Sequence, residues 1–331
     1  MASGKHKVLS TEGDIYLAGD CHHNKKKHMS KLKKILQYLT DPDYRIFKNA
    51  KLGLYDRLSD EDFIKLLFKV EMGYVPDLEN PRTINEKLQW IKIYDHNPLY
   101  TKMVDKIAVK DYVKEKIGGE HIIRTLGIWD SYDDIDFETL PEKFVLKCNH
   151  DSGGLVIVKD KEKMDRKMAR KTISSSLRIN YYKKYREWPY KDIKAQVFAE
   201  EYLDAGKDGL TDYKFFCFNG EPKFINVSRF EHTDEEEISF YSLDWKPTPF
   251  QRSDHKLLSI EPPRPAQLDE MISISRKLSE GIPFLRVDLY EFKDRILFGE
   301  LNLFPTAGMA KYGPEGWSET LGSWIHLPMN S

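Results

Sequence analysis

The stretch Phe144-Val-Leu-Lys147-Cys-Asn-His-Asp-Ser152-Gly153-Gly154-Leu-Val-Ile-Val158 reads as a strand, a polar glycine-containing loop and a second strand. Two adjacent glycines let backbone N–H groups come close to an anion, and a lysine on the preceding strand can aim its ammonium at the same charge. A nucleotide phosphate suits that geometry. Ser-Gly-Gly also makes an ordinary hairpin turn, so the reading needs support from elsewhere in the chain. His150 likewise has two readings, a phosphate contact or a turn residue. Neither G-x-x-x-x-G-K-[S/T] nor G-x-G-x-x-G occurs, which removes the main sequence evidence for a P-loop or a Rossmann fold.

Downstream the short β-rich runs continue over residues 197–203, 214–218, 222–227, 285–290 and 296–301, with helical patterns at 165–182 and 267–280. Two pairs of runs form hairpins, around Asn219-Gly220 and around Lys293-Asp294. Antiparallel pairs separated by helices point to an α+β fold, not to a doubly wound parallel sheet. In the last hairpin Glu300 and Asn302 share a face, because strand side chains alternate. Asp288 joins them if the turn around Asp294 holds an odd number of residues. Two carboxylates and an amide would then converge as hard oxygen donors, which Mg2+ prefers when substrate phosphates complete its shell. A solvated polar face is the alternative. Val287, Leu289, Leu301 and Leu303 line the opposite face as a buried one, and facing carboxylates repel unless a cation or proton intervenes.

Upstream the pattern is helical. Residues 30–39 put Leu32, Ile35, Leu36 and Leu39 on one face, flanked by Lys31, Lys33 and Lys34, a helix suited to packing on a domain or to resting on anionic lipid. Ser59 caps a helix that stops near Gly73, Thr83-Ile-Asn-Glu86 is a capping box, and a further helix is expected over 102–116. Residues 1–29 are polar and read as a flexible extension. Their Cys21, His22, His23 and His28 are metal-ligand types, but nothing around them shapes a four-ligand site. Cys148 and Cys217 sit in apolar strands and read as core residues, not nucleophiles.

The chain's 331 residues allow about two packing units. Its 52 Lys+Arg against 53 Asp+Glu leave no global positive field, so nucleic acid is not an expected partner. Three widely spaced cysteines make neither a disulfide framework nor paired metal-ligand spacing, and no apolar run approaches a membrane span. The expected location is cytoplasmic, with helix 30–39 as a possible peripheral contact with the inner face of a membrane.

The stretches Asn85-Glu-Lys-Leu-Gln-Trp90, Val104-Asp-Lys106, the Lys147 to Gly154 loop, Arg186-Glu-Trp-Pro-Tyr190, Asp212-Tyr-Lys-Phe-Phe-Cys-Phe-Asn-Gly-Glu-Pro-Lys223, Arg286-Val-Asp-Leu-Tyr290 and Gly299-Glu300 together resemble the TupA-like ATP-grasp family, named for teichuronopeptide biosynthesis. The resemblance runs from about residue 30 to the end of the chain. It implies an ATP-grasp fold with an N-terminal helical region over 30–140, a nucleotide-binding subdomain over 141–204 and a catalytic subdomain over 205–331.

Carried over position by position, it implies that Lys106 and Lys147 contact ATP, that Ser152, Gly153 and Gly154 cover the phosphates, and that Glu201 and Leu203 pair with the adenine edge. It gives Lys214 a place near the phosphates, Arg229 a hold on the substrate carboxylate, and Asp288, Glu300 and Asn302 the Mg2+. The implied activity is an ATP-dependent carboxylate-amine ligation through an acyl phosphate, with an amino acid or peptide amine and a uronic-acid-containing saccharide as partners. A glycosyltransferase of surface-polysaccharide assembly is the alternative, and a non-enzymatic nucleotide sensor a third reading. Arg186 is a further candidate for an anionic acceptor, and Trp188 or Tyr190 for stacking on a sugar, unless these aromatics simply anchor a loop.

Overall fold

Helix ends in the N-terminal third follow their capping chemistry in the computed structural model, which describes residues 31–206, 210–229 and 236–328. The Cys21, His22, His23 and His28 cluster lies outside the described residues. Helices α1 (Lys31–Thr40) and α2 (Pro42–Lys51) are joined through Asp41, whose side chain accepts from the Tyr44 N–H. Helix α3 (Asp60–Met72) starts on Ser59 and stops on Gly73 in the left-handed conformation, which costs glycine least. Helix α4 (Ile84–Tyr94) begins on the full capping box of Thr83 and Glu86.

The helix expected over 102–116 is two helices, α5 (Leu99–Val104) and α6 (Val109–Ile117). Asp105 Oδ1 accepts the N–H groups of Ile107 and Ala108, and the Lys106 N–H donates to the Asn149 carbonyl at 3.0 Å. A side chain competing for local N–H groups interrupts the helix there, and tertiary contact holds the break.

The first sheet contains β1 (Thr125–Trp129), β2 (Phe144–Cys148), β3 (Leu155–Val158) and β4 (Val197–Glu201), all pairs antiparallel, in the order β1-β4-β2-β3. Helix α7 (Arg166–Ser176) covers one face, its Ala169 and Ile173 sharing a core with Phe144, Leu146, Val156 and Ala199 of the strands. The short α8 (Tyr182–Tyr185) follows, so the helical run expected over 165–182 ends earlier and restarts. Strand β1 falls inside the stretch expected to be helical. Its signal is weak because a register shift falls between Thr125 and Gly127 and Ile128 is exposed.

The second sheet has the order β10-β9-β5-β6-β7, from β5 (Asp212–Phe218), β6 (Glu221–Arg229), β7 (Glu237–Ser242), β9 (Phe284–Phe292) and β10 (Arg295–Asn302). Between them come the two-residue β8 (Gln251–Arg252) and α9 (Leu268–Ser279); after them β11 (Tyr312–Gly313) pairs with β8, and α10 (Trp317–Ser323) packs against α4. Asn219 and Gly220 form the expected two-residue hairpin turn, both at positive φ. Phe215, Ile225, Val227, Leu285 and Val287 share a core with α9 and with α4 to α6. This packing sets the N-terminal helices against the second sheet. The opposite face carries aromatics at one end, where Phe216 stacks on Phe224 at 4.5 Å, and charged residues at the other.

Candidate functional site between the two sheets

Strand register creates the charged end of the second sheet. Lys293 and Asp294, with φ of 49° and 60°, form a two-residue turn, so Arg295 faces Phe292 and Phe298 faces Leu289. Such an even turn by itself would set Glu300 opposite Val287, on the apolar face. The expected odd-numbered turn is therefore absent. A bulge at Gly299 supplies the odd residue, after which Glu300 faces Asp288 and Asn302 faces Arg286. A Cβ on Gly299 would lie 3.0 Å from the Tyr290 ring and 3.1 Å from the Asp288 carbonyl, which explains a glycine there.

Asp288 is buried, and Arg286 grips it with two bonds of 2.7 and 2.6 Å while also donating to Glu300 at 2.7 Å. Lys214, opposite Asp288 on β5, lies 3.5 Å from its carboxylate and is hydrogen-bonded to Asp212. Among the described residues, three carboxylates thus meet two cations in this cluster. Burial pushes the Asp288 carboxyl above the usual carboxylate range, and Arg286 and Lys214 only partly oppose it. Asn302 Oδ1 accepts the Phe304 N–H at 3.0 Å, which orients the amide. Among the described residues no three His, Cys, Asp or Glu side chains form a metal cage. The two carboxylates and the amide nevertheless offer only oxygen donors, with Arg286 and Lys214 now against the carboxylates, and such a set fits a hard divalent cation that draws its other ligands from phosphates and water.

On the first sheet the charge balance is reversed. Glu200 of β4 is buried between Lys147 of β2 at 2.7 Å and Lys110 of α6 at 2.5 Å. Burial would raise its pKa, but Lys147 and Lys110 outweigh it and the carboxyl ends below its ordinary value. Lys110 also donates to the Ile123 carbonyl and the Thr125 hydroxyl. Lys110 was missed from the sequence, because only the fold brings α6 beside β2.

Lys106 donates to the Asp151 carbonyl at 2.6 Å, joining the α5–α6 break to the glycine loop, and it lines a small cleft with Tyr190, Gly299 and Glu300. Within the loop Asp151 accepts from the Gly154 N–H and the Ser176 hydroxyl. Any Cβ at Gly154 would meet Cys148 Sγ at 2.4 Å, so this glycine is buried packing. Ser152 is the exposed member and Gly153 is half-buried. Glu201 ends β4 exposed, its N–H donated to the Arg124 carbonyl, and Leu203 follows beyond the strand. Arg229 ends β6 opposite Glu237, in the register of Ile225 and Val227.

Arg186 is not an open acceptor contact: it is buried against the Phe63 ring at 4.5 Å and donates to the Tyr55 carbonyl. Trp188 anchors its loop by donating to the Asp95 carbonyl, while Tyr190 lines the cleft. Cys148 and Cys217 are buried, and burial pushes both thiols up to about 12, which leaves them unreactive.

The sequence reading also missed a ladder on α4. Asn85 donates to the Gly308 and Ala310 carbonyls at 3.0 and 2.8 Å, Gln89 to Ala307 at 3.1 Å, and Lys92 to Ala307 at 2.9 Å. All three side chains are buried, and the turn they hold carries Thr306 and Ala307 at φ of 55° and 52°, shortly after Asn302. Three polar residues at i, i+4 and i+7 on an otherwise apolar helix face were the available signal.

Two antiparallel α+β layers, with a lysine-flanked glycine loop on one and an oxygen-donor patch on the other, define an ATP-grasp fold. Residues 86–326 match the family described as TupA-like ATPgrasp, and the chain belongs to that family. No curated protein matches it. Among solved structures it is similar to the D-alanine–D-alanine ligase of Bacillus anthracis complexed with ATP, at 16% identity and a TM-score of 0.37, over 61% of this chain and 56% of that one. It is also similar to the ATP-grasp ligase PsnB complexed with a phosphomimetic precursor variant, Mg and ADP, at 13% identity and a TM-score of 0.36, over 80% and 66% of the two chains. C-terminally truncated Cdc123 of Schizosaccharomyces pombe matches at 9% identity and 0.36, over 70% and 93%. The chain thus spans little more than half of the D-alanine–D-alanine ligase, and no residue role is transferred from these structures.

Proposed function

We propose that this protein is an ATP-dependent carboxylate-amine ligase acting through an acyl phosphate, and that it joins an amino acid or peptide amine to a uronic-acid carboxyl during surface-polysaccharide biosynthesis. The observation that carries the ligase reading is the pair of charge clusters on the two sheets of an ATP-grasp fold: among the described residues, two lysines share one carboxylate on the first, and three carboxylates meet two cations on the second. A polyanion and its counter-cation need that combination. The uronic-acid reading rests on the likeness to teichuronopeptide proteins.

In this reading Asp288, Glu300 and Asn302 hold Mg2+, which supplies charge neutralisation to the triphosphate when bound. Lys147, oriented by Glu200, and Lys106, oriented by the Asp151 carbonyl, point cationic groups toward phosphate oxygens. Ser152 and Gly153 cover them and exclude water. The Glu201 to Leu203 backbone takes the adenine edge. Lys214 steadies Asp288 and approaches the phosphates.

For location we propose a cytoplasmic enzyme that touches the inner membrane face through α1, where Ile35, Leu36 and Leu39 are exposed beside sequence-adjacent lysines. No described helix is long and apolar enough to cross a membrane. Co-sedimentation with anionic liposomes should be lost when the chain starts after Thr40; equal recovery of both forms in the supernatant removes the membrane from the account.

The test of function is a Mg2+-dependent ADP-release screen of uronic acids crossed with amino acids, followed by mass spectrometry for a product lighter than the summed reactants by one water. If no pair stimulates ADP release, and a sugar nucleotide binds where ATP does not, the glycosyltransferase reading replaces this one.

A further inference from the structure

A second cleft, of about 190 Å³, opens beside the glycine loop and is lined by His150, Arg178, Ile179, Asn180, Tyr190 and Lys191, among others. At roughly 30 Å³ per water it has room for about six waters, the scale of one sugar ring. None of its lining residues is acidic. Arg178 and Lys191 are exposed at its rim, and among the described residues neither forms an ion pair with a carboxylate. The Lys191 ammonium does sit 5.3 Å over the Tyr182 ring, a cation–π contact that positions it.

His150 adds an acceptor. It is 3% exposed, and its Nε2 lies 3.0 Å from the Ile179 carbonyl, so Nε2 carries the proton and donates. Nδ1 is then an acceptor, and it is buried without a partner among the described residues. Buried polar atoms in native proteins are nearly always satisfied, so an orphan on a side chain that lines a cleft points to a donor brought by what fills the cleft. Tyr190 connects the two clefts: it lines this one, and it also lines the one that holds Lys106 and Glu300.

From these features we infer that the second cleft is the acceptor subsite and that it takes a phosphorylated monosaccharide. Arg178 and Lys191 meet the phosphate at the rim, His150 accepts from a ring hydroxyl, and Tyr190 borders the path by which the reacting end reaches Glu300 and Lys106. A free carboxylate held at the rim would be turned away from the reaction centre, whereas a phosphate there leaves the opposite end of the ring pointing inward. The inference rests on the ligase reading only for the identity of the reacting end.

The test is direct binding to the full chain, without turnover, of glucose 1-phosphate, glucuronate, glucuronate 1-phosphate and UDP-glucuronate, followed by calorimetry. Both monophosphates should bind at least about tenfold more tightly than glucuronate, as charge-assisted bonds to phosphate require. The Arg178→Ala/Lys191→Ala double variant should lose that gain while its affinity for a non-hydrolysable ATP analogue stays unchanged. A further tenfold gain for UDP-glucuronate assigns a diphosphate-linked sugar as the source of the phosphate; equal binding assigns the sugar phosphate itself. Equal affinity for glucuronate and its 1-phosphate overturns the inference, as does an unchanged gain in the double variant. So does loss of the ATP analogue in that variant, which would give the basic pair to the nucleotide. If glucose 1-phosphate binds as stated but no carboxylate and amine stimulate ADP release, the subsite stands and the ligase reading alone falls.

Discussion

The two sheets bury charge in opposite ways. On the first, one carboxylate, Glu200, is shared by Lys147 and Lys110, and the cluster is one charge positive. On the second, Asp212, Asp288 and Glu300 meet Lys214 and Arg286, so that among the described residues carboxylates outnumber cations by one. Their pKa directions differ too: burial would raise Glu200, but its two lysines hold it below its ordinary value, whereas burial pushes Asp288 above its own despite Arg286 and Lys214. A buried charge surplus is expensive unless something neutralises it, so under the proposed function the first cluster would receive phosphate and the second a cation. The difference separates the side suited to phosphate from the side suited to a cation. Glu187, buried away from both clusters with Lys92 and Lys184 acting on its carboxyl, offers a comparison outside them.

The largest effect should come from the negative cluster. Asp288→Ala or Glu300→Ala should lower Mg2+-dependent turnover by at least about 100-fold, the scale seen when an electrostatic stabiliser of the reacting charge is removed. Undiminished ADP release in either purified variant would show that this patch serves stability alone. A smaller effect is expected on the positive side. Lys147→Met should weaken ATP binding by about tenfold or more, with Glu200 keeping Lys110 as its partner, because one charged hydrogen bond to phosphate is lost. If affinity for the ATP analogue is unchanged in that variant, the first sheet's lysines do not mark the phosphate side.

The smallest effect belongs to Glu187. Burial raises the Glu187 carboxyl from 4.5 to about 7, against the pull of Lys92. Between those values the folded chain holds this proton more tightly than the unfolded chain, so the group's contribution to stability is lost as pH rises through the window. Glu187→Gln removes that dependence. The wild type should therefore lose melting temperature relative to the variant, by a few degrees, between pH 4.5 and 7, with nucleotide binding unaltered in both. Parallel melting curves across that range would count against a protonated Glu187.

Much of this was legible in local sequence. Caps at Ser59 and Thr83, the Asn219-Gly220 turn and the lysine-loop-strand unit each depend on residues within a few positions of one another, and each appears as read. Where a local signal was diluted it failed. Strand β7 stands next to the acidic run of residues 234–237, and β1 contains a register shift and an exposed Ile128, so neither presents a clean alternation. Helix 102–116 had the right periodicity, but Asp105 takes the next N–H groups for itself.

By itself the sequence determined which side chains were available and which strand faces they occupied, since capping, turn type and alternation are short-range properties of the chain. Only the tertiary structure decided their partners. The Gly299 bulge, not the turn, turns Glu300 toward Asp288. Packing of α6 on the first sheet puts Lys110 beside Glu200, and packing of α4 on the turn after β10 engages Asn85, Gln89 and Lys92 with carbonyls more than 200 residues away. The physical reason is shared by all three. A buried polar group is satisfied by whatever the fold brings within about 3 Å, and that distance depends on register and packing between segments that no local pattern encodes.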